Sequence, residues 1–268
     1  MKSRRLLTIL LASITAVVIA VFVLTVTNDN GAPDRPGDPG HSSAPITRTF
    51  PDQPPSPPAL PPTTDLFGNR LEVTGDDAGS ALPQDPSTRP DPTRPDYLTT
   101  SPAQMRWQRG WGGAALPVSG SDGPTRIQHG IATGFARTPQ GAALAAADAL
   151  ARVLAAPDGV WQQVVRERYY GGGQALTDRF ARSRQRTPGA ARYVVVPDGV
   201  RIQPGYRDDL AIVQFAAHDD LGYTVSTWPM AWIDGDWRVR VPDDIEALWG
   251  PGTSTSTLTG FGSWKAAP

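Results

Sequence analysis

The residues best suited to chemistry are a histidine and two aspartates at the end of an apolar stretch. His218 is followed directly by Asp219 and Asp220, and Tyr223 comes shortly after them. A histidine beside a carboxylate can transfer protons when both side chains face a pocket. The same residue types are also typical of a strand that ends in solvent. We favour this second interpretation and predict no catalytic residue.

Other catalytic and ligand-binding patterns are missing from the sequence. The chain has no cysteine, which excludes disulfides, thiolate metal sites and cysteine nucleophiles. No spacing of His, Asp and Glu, including that around His41 and His129, matches a metal site. The glycine run 171–173 lacks the lysine and the preceding strand of a phosphate-binding loop. The sequence therefore predicts a protein that is not an enzyme and that holds neither a metal nor a cofactor.

Charge is distributed unevenly along the chain although the net charge is only −1. Residues 166–192 contain seven arginines against two acidic residues, a net charge of +5, whereas residues 207–246 contain nine acidic residues against three arginines, a net charge of −6. Opposite patches can steer copies of a protein towards each other. Salt bridges within one domain would use the same residues, so both alternatives stay open. The candidate interaction surface consists of Arg179, Arg182, Arg186, Asp208, Asp209, Trp228 and Trp232.

Nucleic acid is a poor match for the arginine-rich segment. Arg179, Arg182 and Arg186 fall on one face of a predicted helix. Aromatic residues are not interleaved with them, as they are in many nucleic-acid-binding surfaces. We therefore expect no nucleic-acid partner.

An apolar run near the N-terminus predicts a membrane anchor. Residues 6–26 contain no charge and only four small hydroxyl residues, and Lys2, Arg4 and Arg5 precede them. A helix of this length spans about 32 Å, close to the ~30 Å hydrocarbon core of a bilayer. The cations should keep residues 1–5 in the cytoplasm and place the rest of the chain outside. A cleaved secretory signal is the alternative, but its apolar part is normally shorter and is followed by small residues.

The remaining sequence divides by composition. Residues 27–104 contain 17 of the 28 prolines and no tryptophan, which predicts a disordered, proline-rich linker because proline removes backbone donors. All eight tryptophans lie further on, which predicts an extracytoplasmic domain at 105–250 and a flexible tail at 251–268.

Periodicity predicts helices followed by strands within 105–250. Thr138 and Pro139 are typical of a helix start, and helices are predicted from there to about 156, from 158 and from 174 to 186. Strands are predicted at 193–196, 200–202, 210–217, 223–233 and 237–241, with a hairpin turn at Asp234-Gly235 and an edge or bulge at Pro229. Helices that precede several antiparallel strands indicate an α+β fold with the helices packed on one face of a curved sheet.

One stretch resembles a known family. Residues 131–146 read IATGFARTPQGAALAA and follow LPVS at 116–119 and DGP at 122–124. They look like an uncharacterised family of actinobacterial membrane-anchored proteins that is often linked to integrative conjugative elements, and the match covers about 105–250. Arginine supplies 23 of the 25 cationic residues, a bias found in GC-rich actinobacterial genes. The resemblance implies membrane anchoring but assigns no functional residue.

The order of segments resembles a second group, the bitopic assembly factors of type IV secretion and conjugation machines. Those proteins carry a cytoplasmic tail, one membrane helix, a spacer and an external nuclear-transport-factor-like domain, which implies a cone-shaped α+β fold here. The resemblance implies a scaffold that binds itself or other envelope proteins of a transfer machine. An external small-molecule-binding or enzymatic domain and a cell-wall-associated module are the alternatives. A pocket between helices and sheet, near His218, Asp219 and Tyr223, would favour the small-molecule alternative.

Overall fold

The protein has a mixed α+β fold, as the sequence predicts. A computed structural model describes residues 60–220 and 222–265. The predicted cytoplasmic tail at 1–5, the membrane helix at 6–26 and residues 27–59 of the predicted linker lie outside the described residues. Among the described residues, no helix is both long enough and apolar enough to cross a membrane.

Three helices and twelve short or medium strands make up the described part. The helices are α1 Pro139–Ala155, α2 Val160–Arg168 and α3 Gly173–Arg186. The strands are β1 Thr63–Thr64, β2 Arg70–Leu71, β3 Arg106–Arg109, β4 Ala115–Val118, β5 Arg126–Gln128, β6 Ile131–Thr133, β7 Tyr169–Tyr170, β8 Gly199–Ile202, β9 Leu210–Asp219, β10 Gly222–Ile233, β11 Asp236–Arg240 and β12 Thr253–Thr255.

The main sheet has the order β7-β11-β10-β9-β8, and β12 also pairs with β10. All of its pairs are antiparallel except β7 with β11. The predicted hairpin at Asp234-Gly235 is confirmed: both residues have positive φ angles, 52° and 81°, as a tight two-residue turn requires. Of the edge or bulge predicted at Pro229, the local edge is confirmed and the bulge is not formed, because Pro229 pairs in register with Ile212 of β9 and has no partner strand on its other side. On the other side of β10, β12 pairs with residues up to Val225 and β11 pairs with residues from Met230 onwards. Pro229, which has no backbone N–H, therefore interrupts no ladder on that side.

Helix α1 begins at the predicted cap and lies in the centre of the fold. The Thr138 hydroxyl accepts a hydrogen bond from the Gly141 amide at 2.9 Å, and Pro139 occupies the first helical position. Its many alanines are buried and allow close contact with β4 and β11. The predicted helices α2 and α3 are confirmed within two residues of their expected starts, with Trp161 and Phe180 buried as expected.

An arginine of α3 closes the other end of α1. The Arg184 guanidinium donates hydrogen bonds to the carbonyl oxygens of Val153, Leu154 and Ala156 at 2.6–2.9 Å. These carbonyls belong to the last helical turn and have no partner within the helix. The C-terminal half of α3 is thereby fixed beside the C-terminal end of α1.

The predicted disorder of residues 60–104 is wrong. Leu71 is completely buried against Trp107, Ala115 and Val196 in a small second core. Proline does prevent long helices and strands here, but aspartate side chains fold the chain into turns instead. Carboxylates at 65, 76, 85 and 91 each accept a hydrogen bond from the backbone amide two residues ahead. The folded unit therefore begins well before the predicted boundary at 105.

The flexible tail predicted from 251 onwards is also wrong for its described part. Strand β12 pairs with β10, and Gly262 forms a bridge with Val200. The Trp264 side chain is buried, its indole nitrogen donates to the Thr99 carbonyl at 2.9 Å, and its own carbonyl accepts from the Trp107 indole at 2.8 Å. A single buried tryptophan thus joins the C-terminal residues to the segment that was expected to be a linker.

The strand predicted at 193–196 is not formed. A 3-10 helix spans Ala190–Tyr193, and the following residues approach β4 through one backbone hydrogen bond, from the Ala115 amide to the Val194 carbonyl at 2.8 Å. The β-branched run is explained by burial of Val196 rather than by pairing in a ladder.

Candidate functional site

A cavity of about 280 Å³ lies between the helices and the main sheet. Its walls come from α1, α3, β9 and β10, from the segment 187–197 and from the end of the 3-10 helix Ile245–Trp249. A pocket at this place is the feature that would favour binding of a small molecule. The space is therefore not filled by the surrounding tryptophan and leucine side chains.

Most of the cavity wall is apolar. Ala147, Leu150 and Leu154 recur at helical spacing on the same face of α1 and all line the cavity. All three side chains remain partly accessible. Opposite them lie aromatic rings from α3, from the sheet and from the C-terminal segment: Phe180, Phe215, Trp228 and Trp249.

The aromatic part of the wall is held in place by Arg179. Its guanidinium lies 4.3 Å from the centre of the Trp249 ring and donates from Nε to the Glu246 carboxylate at 2.8 Å. Phe180 contacts Trp249 on the cavity side, with ring centres 4.7 Å apart. Arg179 therefore supports the cavity wall instead of lying on an exposed surface.

The polar rim of the cavity is organised around Asp198. One carboxylate oxygen accepts from His218 Nδ1 at 2.6 Å and the other accepts from Lys265 Nζ at 2.7 Å. Burial by itself raises the pKa of Asp198, but the hydrogen bonds from Lys265 and His218 outweigh it, so the pKa lies below its usual value. The rim is thus a set of mutually satisfied charges.

The carboxylate that pairs with His218 is Asp198 and not its sequence neighbour Asp219. Asp219 lines the cavity next to His218 but accepts a hydrogen bond from the Thr224 hydroxyl. Tyr223 faces His218 across the β9–β10 ladder and does not line the cavity. Sequence reasoning missed Asp198, which is 20 residues away from His218 and which only the pairing of β8 with β9 brings close.

The predicted interaction surface does not form one patch. Arg179 and Trp228 are buried, and Trp232 is partly buried and stacks with Arg137 at 5.4 Å. The remaining four members, Arg182, Arg186, Asp208 and Asp209, are exposed.

The exposed basic and acidic members lie at opposite ends of α1. Arg184, between Arg182 and Arg186, contacts the end of α1, whereas Arg137, just before its start, donates to the Asp208 carbonyl at 2.8 Å. At ~1.5 Å per residue, α1 separates these ends by about 25 Å.

Much of the acidic segment is neutralised within the domain. Arg207 lies 3.2 Å from the Asp209 carboxylate, and Arg238 lies 2.9 Å from that of Asp234. Two further pairs use buried arginines, Arg168 with Asp236 and Arg179 with Glu246. These contacts favour the alternative in which the opposite charges pair inside one molecule.

Metal binding finds no support in the part of the chain that the structure covers. There, no three His, Cys, Asp or Glu side chains cluster as metal ligands would. His129 lies in a second depression of about 230 Å³ together with Arg126, Gln163 and Glu167. This depression is more polar and more open than the cavity beside α1.

Comparison with known proteins gives a family but no activity. Neither the search of curated proteins nor the search of solved structures found a match. Residues 72–263 match a protein family described as "Domain of unknown function (DUF8175)". This match begins inside the segment that was predicted to be a linker and reaches into the predicted tail, in agreement with the folded unit seen here. Because it covers well over half of the chain, the protein belongs to the DUF8175 family.

Proposed function

We propose that this protein is a non-enzymatic binding protein whose folded domain receives an apolar ligand in the cavity beside α1. In this proposal residues 6–26 form a single membrane helix, with the N-terminus in the cytoplasm and the domain outside. The three helices and the main sheet would then form a nuclear-transport-factor-like cone, with the cavity between its layers.

The cavity is the observation that carries this proposal. Natural ligand sites are concave, mostly apolar and largely preformed, and they contain few polar groups. The cavity has these properties, and it is large enough for a compact molecule of one or two rings. Leaving such a space open costs stability, because the side chains around it lose packing contacts. A bound ligand would restore those contacts.

The polar groups of the rim favour binding over catalysis. The histidine and carboxylate that could transfer protons are held by each other and by Lys265. Ser183 accepts a hydrogen bond from Arg179, and Ser226 accepts one from the Trp228 indole. These groups contribute to the structure of the wall, so an apolar ligand would bind mainly through contact area.

Filling the cavity tests the proposal. Ala147→Phe places a ring into the cavity, and we expect it to weaken binding of the uncharged probe N-phenyl-1-naphthylamine at least ~10-fold, a loss of about 1.4 kcal/mol. Ala155→Phe is the matched control, because Ala155 lies on the same helix but does not line the cavity.

Binding would be measured on the full chain in lipid nanodiscs, by energy transfer from tryptophan to the probe, with empty nanodiscs as background. Trp228 and Trp249 line the cavity, so the transfer signal selects probe bound in the domain over probe dissolved in lipid. Equal affinity in Ala147→Phe and Ala155→Phe would exclude the proposed site.

A role as an assembly scaffold of a conjugative transfer machine is the second candidate. The exposed face of α3 favours it: Arg182 and Arg186 lie one helical turn apart, and neither forms an ion pair within the described part of the chain. Such a face suits an acidic partner protein in the envelope.

Genetics can test the scaffold role. Removal of residues 60–265, with the apolar run kept, should abolish conjugative transfer without loss of viability, and Arg182→Glu combined with Arg186→Glu should reduce it. Unchanged transfer in the deletion strain would rule out this role. Protease added to intact protoplasts should cleave the domain, and protection of the domain would contradict its placement outside the cytoplasm.

A further inference from the structure

A short hairpin at the start of the described residues contributes one side chain to the cavity wall. Strands β1 and β2 pair through only two residues each, Thr63 with Leu71 and Thr64 with Arg70. The loop between them, residues 65–69, carries Phe67, whose side chain is part of the cavity wall.

Phe67 contacts the polar rim of the cavity through its aromatic ring. The centre of its ring lies 3.9 Å from that of the His218 imidazole, with the two planes tilted by 56°. His218 is in turn fixed by Asp198. The neighbouring Leu66 is 42% exposed and does not line the cavity. Two adjacent apolar residues of the loop therefore have different positions, one over the cavity and one in solvent.

The loop is shaped by a single carboxylate. Asp65 Oδ1 accepts hydrogen bonds from the amides of Phe67 and Asn69, both at 2.9 Å. Asp65 Oδ2 accepts from the Val196 amide at 2.9 Å, which ties the loop to the segment that forms another part of the cavity wall. The closed position thus depends on a few hydrogen bonds and one ring contact.

The hairpin is attached through Leu71 and Glu72 at its C-terminal end and through the buried Asp65 carboxylate at its start. Leu71 is fully buried, and Glu72 exchanges two backbone hydrogen bonds of 2.8 Å with Trp107 and Arg109 of β3. A two-residue hairpin has little stability of its own, and segments with few buried contacts open most readily. Residues 65–70 can therefore move once the hydrogen bond between Asp65 and Val196 breaks, while Leu71 and Glu72 stay in place.

We propose that residues 65–70 are a lid on the cavity, and that Phe67 must leave His218 before an uncharged, apolar molecule can enter. This rests on the proposed function. The ligand class follows from the wall: a charged molecule would lose its hydration there and find the rim charges already paired with each other. When Phe67 moves away, the His218 imidazole can form a hydrogen bond with one polar group of the ligand.

Entry rates test the lid. Phe67→Ala should raise the rates of probe association and dissociation by at least ~10-fold, because a removed barrier changes both rates more than it changes affinity. Leu66→Ala is the matched control and should leave both rates within about twofold of the unmodified chain. The rates would be followed by stopped-flow energy transfer from tryptophan to N-phenyl-1-naphthylamine, with the full chain in nanodiscs.

Hydrogen exchange provides a second measurement that needs no substitution. Peptides covering 65–70 should exchange faster than peptides covering 71–73, and saturating probe should slow exchange at 65–70 only. Binding that Ala147→Phe abolishes but Phe67→Ala leaves kinetically unchanged would overturn the lid and keep the binding function. Binding seen only in Phe67→Ala would support the lid, since the closed form would then exclude the probe. Absence of binding in both would overturn the proposed function as well.

Discussion

Asp236→Ala is expected to lower the free energy of unfolding by about 3–5 kcal/mol. The Asp236 carboxylate accepts a hydrogen bond from Arg168 Nη1 at 2.7 Å, and the Arg168 side chain is almost completely buried. The same carboxylate accepts from the backbone amides of Gly134, Phe135 and Trp237 at 2.9–3.2 Å. Its removal would leave one cation and three amides in the interior without their acceptor.

Such a loss is large compared with the total stability of a domain, which is typically 5–15 kcal/mol. Urea unfolding of the full chain in detergent, followed by tryptophan fluorescence, would measure it. All eight tryptophans lie within 107–264, so the signal reports only the folded part. The unfolding midpoint should fall while the slope with urea stays the same.

Asp234→Asn is the matched control in the same hairpin, because asparagine tolerates the positive φ of this turn and only the charge is removed. Asp234 also pairs with an arginine, Arg238, at 2.9 Å, but its side chain is 74% exposed. Exposed ion pairs contribute up to ~1 kcal/mol, so the expected change is at most of that size. Adding Arg168→Met to Asp236→Ala should recover part of the loss, because the unpaired charge is removed. If Asp236→Ala and Asp234→Asn had equal effects, the Asp236 carboxylate would not hold the hairpin to α2 and to the loop that precedes α1.

The elements of the α+β core were predictable because their signals are local. A capping threonine followed by proline marks the start of α1, and an Asp-Gly turn between apolar runs marks the β10–β11 hairpin. Each signal depends on backbone conformation within a few residues. Tertiary contacts then only decide which face of the element is buried.

The disorder predicted for residues 60–104 is wrong because side-chain-stabilised turns and packing, and not regular secondary structure, fix the conformation of this segment. The prolines correctly indicate that this segment forms neither a long helix nor a long strand ladder. They do not exclude close packing of the segment against the rest of the domain. The signal that was available is the repeated pairing of Asp with Ser, Thr or Asn two to four residues later, which is typical of side-chain-stabilised turns. Trp264, alone in a Ser/Thr/Gly-rich stretch, was a similar sign of burial.

The candidate site could be predicted only in part. Helical spacing identifies Ala147, Leu150 and Leu154 as one apolar face, but it cannot tell a filled core from a cavity wall. The partners Phe67, Asp198 and Lys265 reach His218 from three distant segments. Such a meeting depends on strand order and on the path of the chain ends, which no local pattern encodes.

A double-mutant cycle on the buried pair Asp148–Arg152 is expected to show strong coupling. The two residues lie one turn apart on α1, Arg152 Nε donates to Asp148 Oδ1 at 2.7 Å, and both side chains are 0% exposed. Asp148→Leu or Arg152→Met alone leaves the other charge buried without its partner and should cost about 3–5 kcal/mol.

The double variant should be far less destabilised than either single one. Burial raises the pKa of Asp148, since desolvation outweighs the nearby Arg152 cation. The second oxygen of Asp148 and Nη2 of Arg152 are buried without hydrogen-bond partners among the described residues. The contacts of the native pair therefore offset the desolvation penalty of its two charges only in part. Apolar side chains of similar volume can replace such a pair with little loss of stability.

The coupling energy distinguishes the effect of the two buried charges from a simple loss of packing contacts. If the charges dominate, the double variant should lie within ~1–2 kcal/mol of the unmodified chain, and the coupling should amount to several kcal/mol. The exposed pair Asp234–Arg238, with the same sequence spacing, should show a coupling of at most ~1 kcal/mol in a parallel cycle. Additive losses at Asp148 and Arg152 would instead mean that their shape, and not their charge, stabilises the centre of α1.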